Sequence, residues 1–264
     1  MRANRSRPSR GMGNEGVVAD PLHQFEIQRY IPLQVGDLDL SFTNSALFMV
    51  LAVLLSAGLL IMGMRGRAMV PGRLQSMAEI LYEFVADMVR ENAGPQARRY
   101  FPFIFSLFIF ILFGNLLGLI PTAFTFTSHI IVTFALAMVV FVFVTILAFA
   151  RHGLHFFHFF LPEGTPGFIA PLIIPIEVIS YFVRPISLSI RLFANMLAGH
   201  TMLKVFAGFS VTLAGLGGIG YAAGLIPVAL NVALFGLEFL VACIQAYVFA
   251  LLSCVYLRDA LELH

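Results

Sequence analysis

Residues 168–214 read FIAPLIIPIEVISYFVRPISLSIRLFANMLAGHTMLKVFAGFSVTLA, and the division of this stretch decides the fold. As one α-helix it would be ~70 Å long, against a bilayer hydrocarbon core of ~30 Å. It either crosses the membrane steeply tilted or breaks into two ordinary spans joined by a loop at 184–191. Pro185 marks a kink or a boundary. The segment PISLSI nevertheless lacks loop chemistry after its proline, which favours one long tilted helix.

From Gly167 to Leu257 the only Asp, Glu, Lys, Arg or His residues are Glu177, Arg184, Arg191, His200, Lys204 and Glu238. An arginine in hydrocarbon costs at least ~2.5–3.5 kcal/mol and cannot shed its charge. Intramembrane charges are therefore functional by default. On a helix Glu177, Arg184 and Arg191, seven apart, share one face, and Asn195 sits one turn beyond Arg191. His200 points to the opposite side. Arg184 and Lys204 also admit a purely structural reading, snorkelling or pairing locally.

A glycine cluster at Gly215, Gly217, Gly218 and Gly220 breaks the apolar pattern before a second long helix that runs to about Leu257. Antiparallel folding about position 218 sets Arg191 level with Gln245 and His200 nearly level with Glu238. The same fold brings Glu177 level with Arg258 and Asp259. Buried polar groups need partners, which this register supplies.

The rest of the chain agrees with a membrane assignment. Hydrophobic residues make up 59% and charged residues 11%, with a mean hydropathy of +0.92, far from a soluble domain. A net charge of +2 with no basic face gives no case for a nucleic-acid binder. Cys243 and Cys254 are too far apart on one helix, roughly 16 Å, for a disulfide and read as packing residues.

Residues 1–44 form an N-terminal arm, and its first twenty residues, with Arg2, Arg5, Arg7 and Arg10, read as disordered. A secretory signal pattern is absent, and Met12 offers an alternative start. A single membrane domain, 45–264, follows. Residues 45–64 are a transmembrane helix, and Arg65, Arg67 and Arg73 beyond it put the following segment inside and the N-terminus outside. Residues 72–93 carry apolar positions at helical spacing opposite Glu79, Glu83, Asp87 and Glu91: an amphipathic helix that lies in the membrane interface or packs on a partner helix, the interface being the commoner case. Spans at 101–121 and 129–151 form an outward-pointing hairpin. His152, His155 and His158 follow in an aromatic interfacial stretch, where histidine is common without metal binding. The tilted pair is 168–214 and 221–258.

Four motifs, FGNLLGLIP at 113–121, FLPEGTP at 160–166, RLFANMLAGH at 191–200 and IQAYVFALLSCVYL at 244–257, resemble the a-subunit family of F-type ATP synthases. The resemblance covers nearly everything after residue 45 but not the arginine-rich start. His200 with Glu238 is similar to the mitochondrial and alphaproteobacterial branch; other bacterial members exchange the two. It implies an all-α membrane stator in a bacterial or mitochondrial inner membrane, with its C-terminus in the cytoplasm or matrix. Its partners would be a c-ring, a peripheral-stalk b subunit and the remaining ATP synthase subunits. It implies no cofactor and no chemistry on nucleotide in this chain. Arg191 would face the rotor carboxylate, His200 and Glu238 would deliver protons from outside, Glu177 would serve the inner exit, and Asn195 and Gln245 would orient Arg191 or water. The competing class is a self-contained ion-coupled transporter, but the paired charged repeats common in such proteins are not visible.

Overall fold

The computed structural model describes residues 29–31, 34–35, 38–39, 41–65, 70–120, 123–153 and 169–262. The arginine-rich arm, His155, His158 and the FLPEGTP turn lie outside the described residues. Two small antiparallel pairings, β1 (Arg29–Ile31) with β4 (Phe42–Thr43) and β2 (Gln34–Val35) with β3 (Leu38–Asp39), precede the first helix. They were not anticipated, because strands of two or three residues leave no periodicity to read.

Helix α1 (Asn44–Met64) starts where Thr43 accepts the amide of Ala46 through its hydroxyl at 3.3 Å, an N-cap. Helix α2 (Arg73–Ala93) is bounded by Gly72 and by Gly94, whose φ of 78° ends it. Part of the apolar face of α2 packs within the chain: Ala78, Val85, Met88 and Val89 are buried and Phe84 meets Phe108 and Tyr247, while Leu74, Met77 and Ile80 are exposed. Its acidic residues Glu79, Glu83, Asp87 and Glu91 stay exposed.

A 3-10 segment, Pro95–Tyr100, leads into α3 (Phe101–Gly118), and α4 spans Ile130–His152. The two spans of the expected hairpin splay apart. Helix α3 packs on α1, α2 and α6, while α4 packs on α5 and α6. They meet at one end, where Phe103 stacks on Phe143 at 4.2 Å and Arg151 hydrogen-bonds Gln96. Their connection folds inward, so that residues 123–128 are all buried, including a 3-10 turn at Phe126–Ser128. Non-helical backbone in a membrane protein is tolerated where protein surrounds it.

Helices α5 (Ala170–Gly215) and α6 (Ile219–Leu261) form the most extensive interface of the fold. Helix α5 runs unbroken through Pro175 and Pro185, so the one-helix reading of residues 168–214 holds to within two residues at its start. The reversal between them uses Gly217 (φ 67°) and Gly218 (φ 51°), a left-handed conformation that glycine adopts without a Cβ penalty. Five helices, α1, α3, α4, α5 and α6, are long and apolar enough to cross a membrane. Cys243 and Cys254 are both free, and Cys254 is buried.

Candidate functional site

The register of α5 on α6 sets the site. Ser210 donates to the carbonyl of Gly224 near the glycine turn, and Arg184 pairs with Asp259 at the far end. Along α5 these anchors lie 26 positions apart, from 184 to 210; along α6 they lie 35 apart, from 224 to 259. Helix α6 spends more residues than α5 between the same two anchors. Straight folding about position 218 ignores this drift, so its error grows away from the turn.

Near the turn the expected pair forms. His200 Nδ1 and Glu238 Oε1 are hydrogen-bonded, with His200 6% and Glu238 5% exposed. His200 Nε2 lies 2.8 Å from Thr125 Oγ1 and 2.8 Å from the carbonyl of Gly118, to which Thr125 Oγ1 also donates at 3.2 Å. A carbonyl only accepts, so Nε2 carries a hydrogen. The other ring nitrogen, Nδ1, is left to face Glu238 Oε1. Gly118 and Thr125 were missed as members of this site. Their signal was available: Gly118 belongs to FGNLLGLIP, and the uncharged connection TAFTFTSH at 122–129 alternates hydroxyl residues with aromatics.

The glycines make room. A Cβ on Gly118 would come within 2.7 Å of the Thr125 methyl group, and one on Gly199 within 2.7 Å of Glu238 Oε1. Beside the pair opens a cleft of about 590 Å³ lined by His200, Lys204, Ser210, Asn231 and Glu238 among apolar residues of both helices. Glu238 Oε2 and Asn231 Oδ1 are buried without a hydrogen-bond partner among the described residues. Such atoms demand solvation, and the cleft has room for it.

Further from the turn the drift corrects two expectations. Asn195, not Arg191, meets Gln245: Asn195 Nδ2 donates to Gln245 Oε1 at 2.8 Å, with Gln245 2% exposed. Arg191 lies one turn away, within electrostatic reach of Tyr256, eleven positions beyond Gln245. Likewise Arg184, not Glu177, takes Asp259, at 2.8 Å, with its guanidinium 5.7 Å from the Tyr181 ring and 5.4 Å from that of Tyr256. Arg258 bonds Glu262 at 3.3 Å, and half-buried Glu177 makes no hydrogen bond or ion pair among the described residues.

Arg191 is exposed on α5 and likewise has no hydrogen bond or ion pair among the described residues. Its helical neighbours Ser187, Ala194, Asn195 and Ala198 are exposed and small, and Ile190 and Met202 are exposed and apolar. Of His152, His155 and His158 only His152, the last residue of α4, is described, with Nε2 at 3.2 Å from the carbonyl of Ala260.

Five membrane-length helices, with a buried His200–Glu238 pair beside a cleft and an exposed guanidinium at Arg191, define a multi-pass membrane protein with polar groups on its two long helices. The chain belongs to the ATP synthase A chain family, whose sequence profile matches residues 46–258. It is 58% identical over 247 residues to ATP synthase subunit a of Parvibaculum lavamentivorans, covering 94% of this chain and 95% of that one. The subunit of Chelativorans sp. is 56% identical, over 93% of this chain and 99% of its own. That of Paramagnetospirillum magneticum is 55% identical, over 94% and 100%.

Proposed function

We propose that this chain is the membrane stator that carries protons past the rotor of an F-type ATP synthase, with Arg191 as the residue that couples their flow to rotation. The observation that carries this reading is the contrast on α5: His200 is buried and paired with Glu238, while Arg191, nine positions earlier, is exposed and unpaired among the described residues.

The chemistry follows from these groups. The cleft beside Lys204, Ser210 and Asn231 admits water and protons from outside as far as Glu238 Oε2. Glu238 takes a proton and exchanges it with His200 Nδ1, whose ring is held by Gly118 and Thr125. The proton then reaches a carboxylate on the c-ring. As that carboxylate turns toward Arg191, the permanent positive charge favours its ionised form by roughly 1.4–4 kcal/mol, tenfold to thousandfold in favour of release. The released proton leaves inward past Glu177. The guanidinium also blocks direct passage between the two routes, so rotation is the permitted path. Asn195 and Gln245 hold the helices beside Arg191 and titrate nothing. Each proton that crosses the membrane potential supplies ~2.3 kcal/mol per 100 mV.

The small neighbours of Arg191 let a rotor helix approach closely, as in packed membrane helices. In this arrangement the N-terminus lies outside and the C-terminus in the cytoplasm or matrix, with a b-type stalk and the nucleotide-hydrolysing head completing the assembly in the inner membrane. Purification tests it. Isolation of the chain with a rotor ring and a soluble ATP-hydrolysing head is expected; ion transport by the reconstituted chain alone would instead identify a self-contained transporter.

A further inference from the structure

A second polar cleft, sharing no residue with the first, lies between the end of α2 and the start of α3. Asp87, Arg90, Arg98 and Arg99, with Tyr82 and Phe101, line a space of about 620 Å³. Three arginines against one aspartate leave these side chains a formal charge of +2. Among the described residues none of the three guanidinium groups makes a hydrogen bond or ion pair. Arg98 and Arg99 sit on the 3-10 segment that leads directly into apolar α3, so the cleft stands where the chain passes from water to hydrocarbon.

An aromatic bridge leads inward from it. The Tyr82 ring lies 4.7 Å from Phe101 and 6.0 Å from Phe105, and Phe101 stacks on Phe105 at 5.5 Å. Phe105 lines an apolar groove of about 430 Å³ between α1 and α3, with Val53, Ala57, Leu60 and Phe110. The groove follows α3 from Phe103 to Phe110, ~10 Å of helix.

We infer that cleft and groove are the two halves of one binding site for an anionic phospholipid, its phosphate on Arg90, Arg98 and Arg99 and an acyl chain between α1 and α3. Guanidinium forks match phosphate oxygens bidentately, and basic pockets at the membrane surface select acidic headgroups. An acidic peptide would satisfy the arginines but has no use for a groove at membrane depth. The inference rests only on the chain crossing a membrane, not on its proposed role in rotation.

The test uses the chain in the assembly with which it purifies, stripped of lipid and titrated with phosphatidylglycerol or phosphatidylcholine of identical chains, with bound lipid counted by native mass spectrometry. Phosphatidylglycerol is expected to bind at least ~10-fold tighter than phosphatidylcholine. Combined Arg90→Gln, Arg98→Gln and Arg99→Gln should abolish that preference, while Ala57→Phe, which fills the groove, should weaken both lipids alike. Should the triple variant fail to assemble, Arg98→Gln against Arg98→Lys decides the same point, the lysine keeping part of the preference. Equal affinity for the two lipids, or a preference unchanged by loss of the arginines, overturns the site. Displacement of the lipid by millimolar inorganic phosphate with no effect of Ala57→Phe would make it a free-anion site and also overturn it. So would a photo-crosslink from position 98 that captures a neighbouring subunit in place of lipid.

Discussion

His200 and Glu238, on different helices and 38 positions apart, face each other ring nitrogen to carboxylate oxygen, and the other ring nitrogen is held by Gly118 and Thr125. Both partners are almost fully buried, yet both line the cleft, and Glu238 Oε2 has no hydrogen-bond partner among the described residues. Glu238→Gln keeps the volume and removes the exchangeable carboxyl proton, and His200→Ala removes the receiving ring. Each is expected to cut proton-driven ATP synthesis in reconstituted vesicles at least ~10-fold with the complex still assembled. Wild-type rates in both variants would reject a relay through this pair.

Exchanging the two, His200→Glu with Glu238→His, keeps one carboxyl and one imidazole across the interface. A carboxylate at position 200 would face the Gly118 carbonyl, acceptor against acceptor, and would need its own proton there. Synthesis is therefore expected to recover above either single exchange but below wild type. A double variant no better than the worse single change would show that position, not pairing, is what matters.

Gly199 makes room for Glu238. An added methyl group would sit 2.7 Å from Oε1, 3.0 Å from Cδ and 3.2 Å from Cγ, forcing the carboxylate to shift relative to His200. Gly199→Ala should slow proton delivery and cost ~1–3 kcal/mol through overpacking. Gly58→Ala, where a Cβ meets nothing within 4 Å, serves as the control and should leave both thermal stability and synthesis unchanged. Equal behaviour of the two variants would remove Gly199 from the site.

Arg184 shares a helix face with Arg191 but is paired within the chain. Its ion pair with Asp259 is 27% and 33% exposed, so a double-mutant cycle should find no more than ~1 kcal/mol of coupling, with the Tyr181 and Tyr256 faces adding about as much again. Arg184→Gln is expected to lower the melting temperature of the complex while most proton transport survives. Loss of transport in a fully assembled Arg184→Gln complex would move Arg184 into the proton path.

Much of this arrangement could be read from the chain before folding. Apolar length located the five membrane-length helices, and the glycine cluster located the reversal between α5 and α6. The His200–Glu238 pair was legible because it lies near that turn, where simple counting still works. Arg191 against Gln245 and Glu177 against Asp259 failed for the opposite reason: the extra residues that α6 spends accumulate far from the turn, and their number is a property of packing. Thr125, and with it the role of Gly118 at the end of α3, escaped because a connection between two spans is ordinarily exposed, whereas here buried Phe124 and Phe126 carry it into the bundle. The inner face of α2 was half legible, since periodicity reveals an apolar stripe but not what covers it.

The central claim concerns Arg191, exposed, permanently charged and with no hydrogen bond or ion pair among the described residues. Its most direct test is Arg191→Ala in the assembled complex, reconstituted in sealed vesicles, with proton-driven ATP synthesis and passive proton leak measured on the same preparation. Synthesis should fall to background while leak rises, because the barrier between the two proton routes is gone. Arg191→Lys, which replaces the planar fork with a point charge, should not restore normal coupling. Normal synthesis with Arg191→Ala, at wild-type leak, would contradict the assignment.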